Sequence, residues 1–172
     1  MIISDPEIFL PNVRIILTGE ISVGKTTVAQ KLVKSLNIQP AGFTTEKIFC
    51  ENTIVGYSLR DWHGDSRTFA HVDFPKTVSF DRFGVDLSVF NGFGSEILRN
   101  SIRSGHLILI DELGIMEQTV MAFCTTAKEI LKNYSSYIAV VQKRALGFWA
   151  DGLNDVKIVE VTPENRDNIL QR

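Results

Sequence analysis

Gly19-Glu20-Ile21-Ser22-Val23-Gly24-Lys25-Thr26-Thr27 follows the spacing glycine, four variable residues, glycine, lysine, threonine, that of a phosphate-binding P-loop. Phosphate oxygens call for a ring of backbone N–H groups, and a loop running into a helix N-terminus supplies one. Gly19 and Gly24 allow the tight turn where a Cβ would clash. In such a loop Lys25 reaches the β- and γ-phosphates, and the Thr26 hydroxyl holds Mg²⁺. A glycine motif this short also arises by chance, so its flanks carry the assignment. Upstream, Val13-Arg14-Ile15-Ile16-Leu17 is a β-branched apolar run suited to a buried parallel strand. Downstream, Val28, Ala29, Leu32, Val33 and Leu36 recur at helical spacing. Strand, loop and helix come in the order the motif needs.

Further out on the N-terminal side, residues 1–11 read as an irregular lead-in punctuated by Pro6 and Pro11. They lack the basic, apolar and small-residue regions of a signal peptide. On the C-terminal side the first helix runs to about Leu36 and is ended by Asn37 and Pro40. Residues 42–49, 53–59 and 67–72 then read as short strands, broken at Glu51-Asn52 and at His63-Gly64-Asp65. They predict a strand-rich antiparallel insertion over about 41–72, attached to a parallel sheet. Residues 73–85, with Pro75, Gly84 and several aromatics, carry no clear period. After Asp86 a helix is expected, with Phe90, Phe93, Ile97, Leu98 and Ile102 on one face. Gly92 and Gly94 weaken it and suggest close approach of another element, and Gly105 fits its stop.

Leu107-Ile108-Leu109-Ile110 is another buried-strand run, followed by Met116, Val120, Phe123, Ala127, Ile130 and Leu131 as an amphipathic helix. Residues 137–141 and 156–161 read as further strands. Thr162 and Pro163 read as N-cap and first residue of a terminal helix. This alternation predicts an α/β fold with a doubly wound, mostly parallel sheet, as a single P-loop domain over 1–172. Such sheets bind ligands at the carboxyl ends of their strands.

Bulk properties set the remaining bounds. The chain of 172 residues is 44% apolar and 22% charged, which suits a soluble protein with a sizeable core. Net charge is −2 with scattered Lys and Arg, so neither nucleic acid nor an anionic membrane is an expected partner. No apolar stretch is long enough to span a bilayer. Cys50 and Cys124 stand far apart without metal-ligand spacing and read as reduced thiols of a cytoplasmic protein, with an internal disulfide as the alternative. His63, His71 and His106 are equally isolated.

The second half of the site comes from Asp111-Glu112, which follows the apolar run 107–110. A carboxylate at the end of a buried strand holds Mg²⁺ through its water shell while Thr26 binds the ion directly, and that role falls to Asp111. Glu112 leaves the strand where a γ-phosphate would sit, placed to orient or deprotonate an attacking water. Gln142 ends the strand 137–141, and its amide is a candidate contact for the γ-phosphate or that water. Lys143 and Arg144 read either as cations that neutralise developing charge or as a solvated basic turn. Glu46, at the end of a strand, reads equally as site or surface, while Trp62, Trp149 and the phenylalanines read as core.

These residues together resemble the small P-loop nucleoside-triphosphatases of the thermophile type, a family that includes the cancer-related nucleoside-triphosphatase. The resemblance covers nearly the whole chain after residue 12. It rests on Leu17-Thr18-Gly19, Gly24-Lys25-Thr26-Thr27, Gly42-Phe43-Thr44-Thr45-Glu46 and Phe83-Gly84-Val85-Asp86. More specific are Asp111-Glu112-Leu113-Gly114-Ile115-Met116-Glu117 and Thr162-Pro163-Glu164-Asn165-Arg166-Asp167. The resemblance implies slow, Mg²⁺-dependent hydrolysis of ATP, GTP and other nucleoside triphosphates to diphosphate and phosphate. It implies that residues 19–27 bind the phosphates, Asp111 serves Mg²⁺ and Glu112 is the base, with Glu117, Asn165 and Arg166 close to the site. Two positions depart from the family pattern: Ile115 stands where a lysine is usual and Phe49 where an arginine is. Those losses bear on turnover rate or substrate range and leave triphosphate binding in place.

Two other classes share a P-loop. A nucleotide or small-molecule kinase needs an acceptor pocket and a cationic lid, and the insertion offers Arg60 and Arg67 but no dense arginine cluster. A nucleotide-binding switch would have negligible turnover. Phosphate release without an acceptor separates hydrolysis from both. Arg166 is placed to stack on any base and Asn165 to add one hydrogen bond, or the segment simply caps the terminal helix. Either way, broad use of the common bases is expected.

Overall fold

The computed structural model describes residues 12–169. Its frame is a nine-stranded sheet ordered β5-β6-β4-β3-β2-β7-β8-β1-β9. The parallel half comprises β1 (Arg14–Thr18), β2 (Ala41–Cys50), β7 (Ile108–Leu113), β8 (Tyr137–Val141) and β9 (Lys157–Glu160). The antiparallel half continues from β2 through β3 (Thr53–Asp61), β4 (Ser66–His71), β6 (Phe83–Val85) and β5 (Ser79–Phe80).

Side chains alternate across a strand, so the apolar runs must be covered on both faces. On one face α1 (Lys25–Ser35) packs Val28, Ala29 and Val33 against Leu17, Leu109, Ile138 and Val140. On the other, α2 (Ser95–Ser104) and α3 (Met121–Asn133) bury Leu98, Phe123, Ala127 and Ile130 against Ile16, Phe43, Ile110 and Ala139. Phe43, Phe90 and Phe123 meet with ring centroids 5.8 and 5.4 Å apart, and each buried ring contributes ~1.5–3 kcal/mol. Helices on both faces make the sheet doubly wound, as the alternation implied.

The antiparallel strands join the parallel sheet through β2. Residues 41–44 of β2 pair in parallel with residues 108–111 of β7, and residues 43–50 pair antiparallel with β3. One strand therefore belongs to both halves. Residues 45–50 run on past Asp111 by about 20 Å, at ~3.3 Å per residue, so the antiparallel ribbon overhangs the carboxyl end of the parallel strands.

Two expected helices are interrupted. Residues Phe90–Gly94 form a π-helical turn before α2 begins. A Cβ on Gly94 would lie 3.1 Å from the Phe123 ring, so the close approach is real there, whereas Gly92 faces open space. The helix expected from Met116 is a 3₁₀ turn, Met116–Thr119, then an extended Val120, before α3 starts at Met121. That break lets the Glu117 carboxylate turn back to accept the Gly114 N–H at 2.9 Å. Gly105 ends α2 in the left-handed conformation, φ 70°. After β9 the chain makes turns rather than an α-helix through residue 169. Thr162 and Asn165 nevertheless cap one another reciprocally, Thr162 N–H to Asn165 Oδ1 at 2.8 Å and Asn165 N–H to Thr162 Oγ1 at 3.3 Å. The lead-in expected over residues 1–11 lies outside the described residues. Among those described, no helix is long and apolar enough to cross a membrane, and both cysteines are free.

Candidate active site

β1 delivers the chain to Gly19 at φ 143°, where a Cβ would lie 2.5 Å from the carbonyl oxygen of Val161. Only glycine fits that conformation and that space. Ser22 (φ 60°) and Gly24 (φ 105°) complete the turn, and Val23 is buried while Glu20, Ile21 and Ser22 are exposed. α1 then opens on Gly24 with no side-chain cap and no acid in its first turn. Its leading N–H groups and positive dipole end therefore face the loop without an internal partner. Lys25 is buried and folds back on its own loop, its Nζ donating to Gly19 O at 3.1 Å and Glu20 O at 2.8 Å. Thr27, on the exposed side of the same turn, borders a shallow cavity of about 250 Å³ with Gly24, Val28, Lys31, Arg166 and Asp167.

Asp111 sits on β7 facing α1, with Thr26 Oγ1 donating to its Oδ1 at 3.1 Å. Thr45 Oγ1 of β2 donates to the Asp111 carbonyl at 2.8 Å and fixes the strand beside it. The carboxylate is 1% exposed, and its Oδ2 has no hydrogen-bond partner among the described residues. Burial raises its pKa to about 7, partly opposed by the Thr26 hydrogen bond; Glu112 pushes the same way as burial and Lys25 against it.

At Glu112 the ladder between β7 and β8 shifts register, so the residue bulges from the sheet one position after Asp111. The two neighbouring carboxylates thereby face different surroundings. Gln142, the first residue beyond β8, donates from Nε2 to Glu112 Oε1 at 2.8 Å. Arg144 Nε donates to Gln142 Oε1 at 3.4 Å. Glu117 is 5% exposed and burial raises its pKa to about 7, partly offset by its hydrogen bonds from backbone N–H groups. Trp149, a core residue as expected, also donates from Nε1 to Gly114 O at 2.9 Å.

Lys143 neither faces the loop interior nor stays solvated alone. It bridges Glu160 and Glu20, 2.9 Å from each, and Glu160 first and then Glu20 hold its ammonium well above the usual lysine range. Glu20 is correspondingly lowered by Lys143. Asn165 is engaged at both ends of its amide, in the Thr162 cap and through Nδ2 to Glu160 O at 2.8 Å, which leaves it as a brace of the loop. Arg166 lies against the P-loop, with Nη1 donating to Val23 O at 3.4 Å. Glu46 is exposed and pairs with Arg60 at 3.4 Å. Sequence reasoning missed the Lys143 bridge and the Gly114 contacts. A glycine three residues before an acid was a usable signal for the second, since a carboxylate at that spacing can reach back to the N–H.

A threonine shared with a buried strand-end carboxylate, under an uncapped helix start, places the fold among the P-loop nucleotide-binding proteins. The family is narrower: residues 14–172 match the NTPase family model, and the chain belongs to that family of enzymes, the nucleoside-triphosphatases. It is 30% identical over 169 residues to nucleoside-triphosphatase THEP1 of Aquifex aeolicus (strain VF5), covering 92% of this chain and 95% of the relative. The THEP1 of Thermotoga sp. (strain RQ2) is 28% identical over 159 residues, 91% of each chain. The crystal structure of THEP1 from the hyperthermophile Aquifex aeolicus superposes with a TM-score of 0.79 at 30% identity, over 91% of this chain and 94% of that one. The solution structure of a human cancer-related nucleoside triphosphatase gives 0.70 at 26% identity, over 92% and 94%.

Proposed function

We propose that this enzyme hydrolyses ATP, GTP and other nucleoside triphosphates to the diphosphate and phosphate, with Mg²⁺ as cofactor. The reading is carried by the split between adjacent carboxylates, Asp111 turned to Thr26 and Glu112 bulged outward to Gln142. The N–H groups of residues 19–27 hold the phosphate oxygens, and Lys25 exchanges two neutral carbonyl partners for charged ones. Thr26 and Asp111 would hold the ion, and the unpartnered buried Oδ2 of Asp111 is the fit that a hydrated cation satisfies. Bound there, the ion would neutralise charge on the triphosphate.

Glu112 takes a proton from a water as the water oxygen bonds to the γ-phosphorus and the bond to the bridging oxygen breaks, releasing diphosphate. Arg166 lies beside Gly24, where a planar guanidinium can stack on a base without reading its identity. The continuous sheet supports a single P-loop domain, and the two free cysteines suit the reducing cytoplasm. Phosphate release from ATP, GTP, CTP and UTP, with and without Mg²⁺ and with no acceptor present, tests the reading. Release should require the metal, and Glu112→Gln should retain nucleotide binding while turnover falls by ~10²–10⁴-fold. Binding without any release would instead favour the kinase or switch readings.

A further inference from the structure

We propose that Gln142 is a positioning residue for Glu112, and that Gly114, gripped by Trp149 and Glu117, fixes it in place. The inference rests on Glu112 being the base of the hydrolytic reaction. Gln142 is tied to the bulged end of β7 through its own N–H, which donates to Leu113 O at 2.9 Å. Its side chain then spans Glu112 at 2.8 Å and Arg144 at 3.4 Å. A carboxylate offers only acceptors and a guanidinium only donors, so a single orientation of the amide satisfies both. Holding Oε1 of Glu112 in this way leaves Oε2 to receive the water's proton. An amide engaged at both ends is better suited to aiming the base than to binding phosphate.

The place where the amide rests is built for it. A Cβ at residue 114 would lie 2.6 Å from Cδ, Nε2 and Oε1 of Gln142, so any other residue displaces the amide. Gly114 itself is held on both sides, its N–H by Glu117 Oε2 and its C=O by Trp149 Nε1, each at 2.9 Å. Both anchors are buried, Trp149 at 1% and Glu117 at 5% exposed, where water does not compete for these bonds. The chain of contacts thus runs from the core, through Gly114 and Gln142, to the carboxylate of Glu112.

Steady-state ATP hydrolysis at saturating Mg²⁺ tests this, using Gln142→Ala, Glu112→Gln, their double variant, Gly114→Ala and Gly114→Ala with Gln142→Ala. Misaimed by about an ångström, the base should lose ~10- to 100-fold in kcat, while KM stays within about threefold. In the Glu112→Gln background, Gln142→Ala should add no further loss, because it acts only through Glu112. Gly114→Ala should reproduce the loss, and joining it to Gln142→Ala, which removes the clash, should cost no more than Gln142→Ala alone. Parent kcat in Gln142→Ala, a raised KM with kcat unchanged, or an equal further loss in the Glu112→Gln background would each overturn the inference. Parent turnover in Glu112→Gln itself would instead remove the base assignment beneath it, so the two failures are distinguishable.

Discussion

Replacing Glu117 by glutamine isolates the energetic consequence of one buried carboxyl. Burial raises its pKa from 4.5 to about 7. Below pH ~4.5 the group is protonated in folded and unfolded chains alike and costs nothing. As pH rises toward 7 the unfolded chain loses its proton while the folded one keeps it, so stability falls across that window and stays reduced above it. At ~1.4 kcal/mol per pH unit, the difference between 4.5 and about 7 amounts to about 3 kcal/mol. Glutamine keeps an oxygen to accept the Gly114 N–H and carries no charge to desolvate. Glu117→Gln should therefore melt higher than the parent at pH 8, by roughly 6–12 °C for a chain of this size, and nearly level with it at pH 4. Asp111 titrates over an overlapping range in both proteins, so the difference between the two melting curves, measured from pH 4 to 8, reports Glu117 alone. An offset that does not change with pH would refute the account of a carboxyl buried in its neutral form.

Lys25→Ala should abolish productive triphosphate binding, because each lost charge-assisted contact is worth ~1.5–3 kcal/mol; titration with a non-hydrolysable ATP analogue reads this directly. Asp111→Asn should raise the Mg²⁺ concentration for half-maximal phosphate release by about tenfold or more, since a neutral amide attracts the ion's water shell less; an unchanged metal requirement would remove Asp111 from the metal site. Values of kcat/KM for ATP, GTP, CTP and UTP should fall within roughly a hundredfold of one another, and a preference of about a thousandfold would point to a dedicated base pocket.

Much of this was legible in the sequence because it depends on local chemistry. The P-loop is a contiguous string whose glycines answer to backbone geometry, and the parallel strands announce themselves as apolar runs buried on both faces. Gly94 and Gly105 were readable for the same reason. What escaped depends on register and long-range contact. Nothing in residues 41–50 shows that the strand's first residues pair with β7, since that pairing is set by residues 108–111 far along the chain. The short β5 and β6 have too few residues to display a period. Lys143 looked like part of a basic turn because Glu20 and Glu160, its partners, lie 123 and 17 positions away. The break at Val120 was invisible because helical spacing continues across it, and the contact that accompanies it, Gly114 N–H to the Glu117 carboxylate, has no periodic signature.

The order of the strands also decides which strands stand at the margins of the sheet. A sheet invites addition of a foreign strand where an exposed margin is long, flat and apolar. Here, among the described residues, one margin is β5, only two residues long. The other, β9, is four residues long and opens on Lys157 and closes on Glu160, both exposed. Neither offers a template of useful length, while the long β2 lies between β7 and β3 at residues 43 and 44 and pairs with β3 alone over residues 45–50. Among the described residues, strand-by-strand propagation is thereby discouraged at the two end margins.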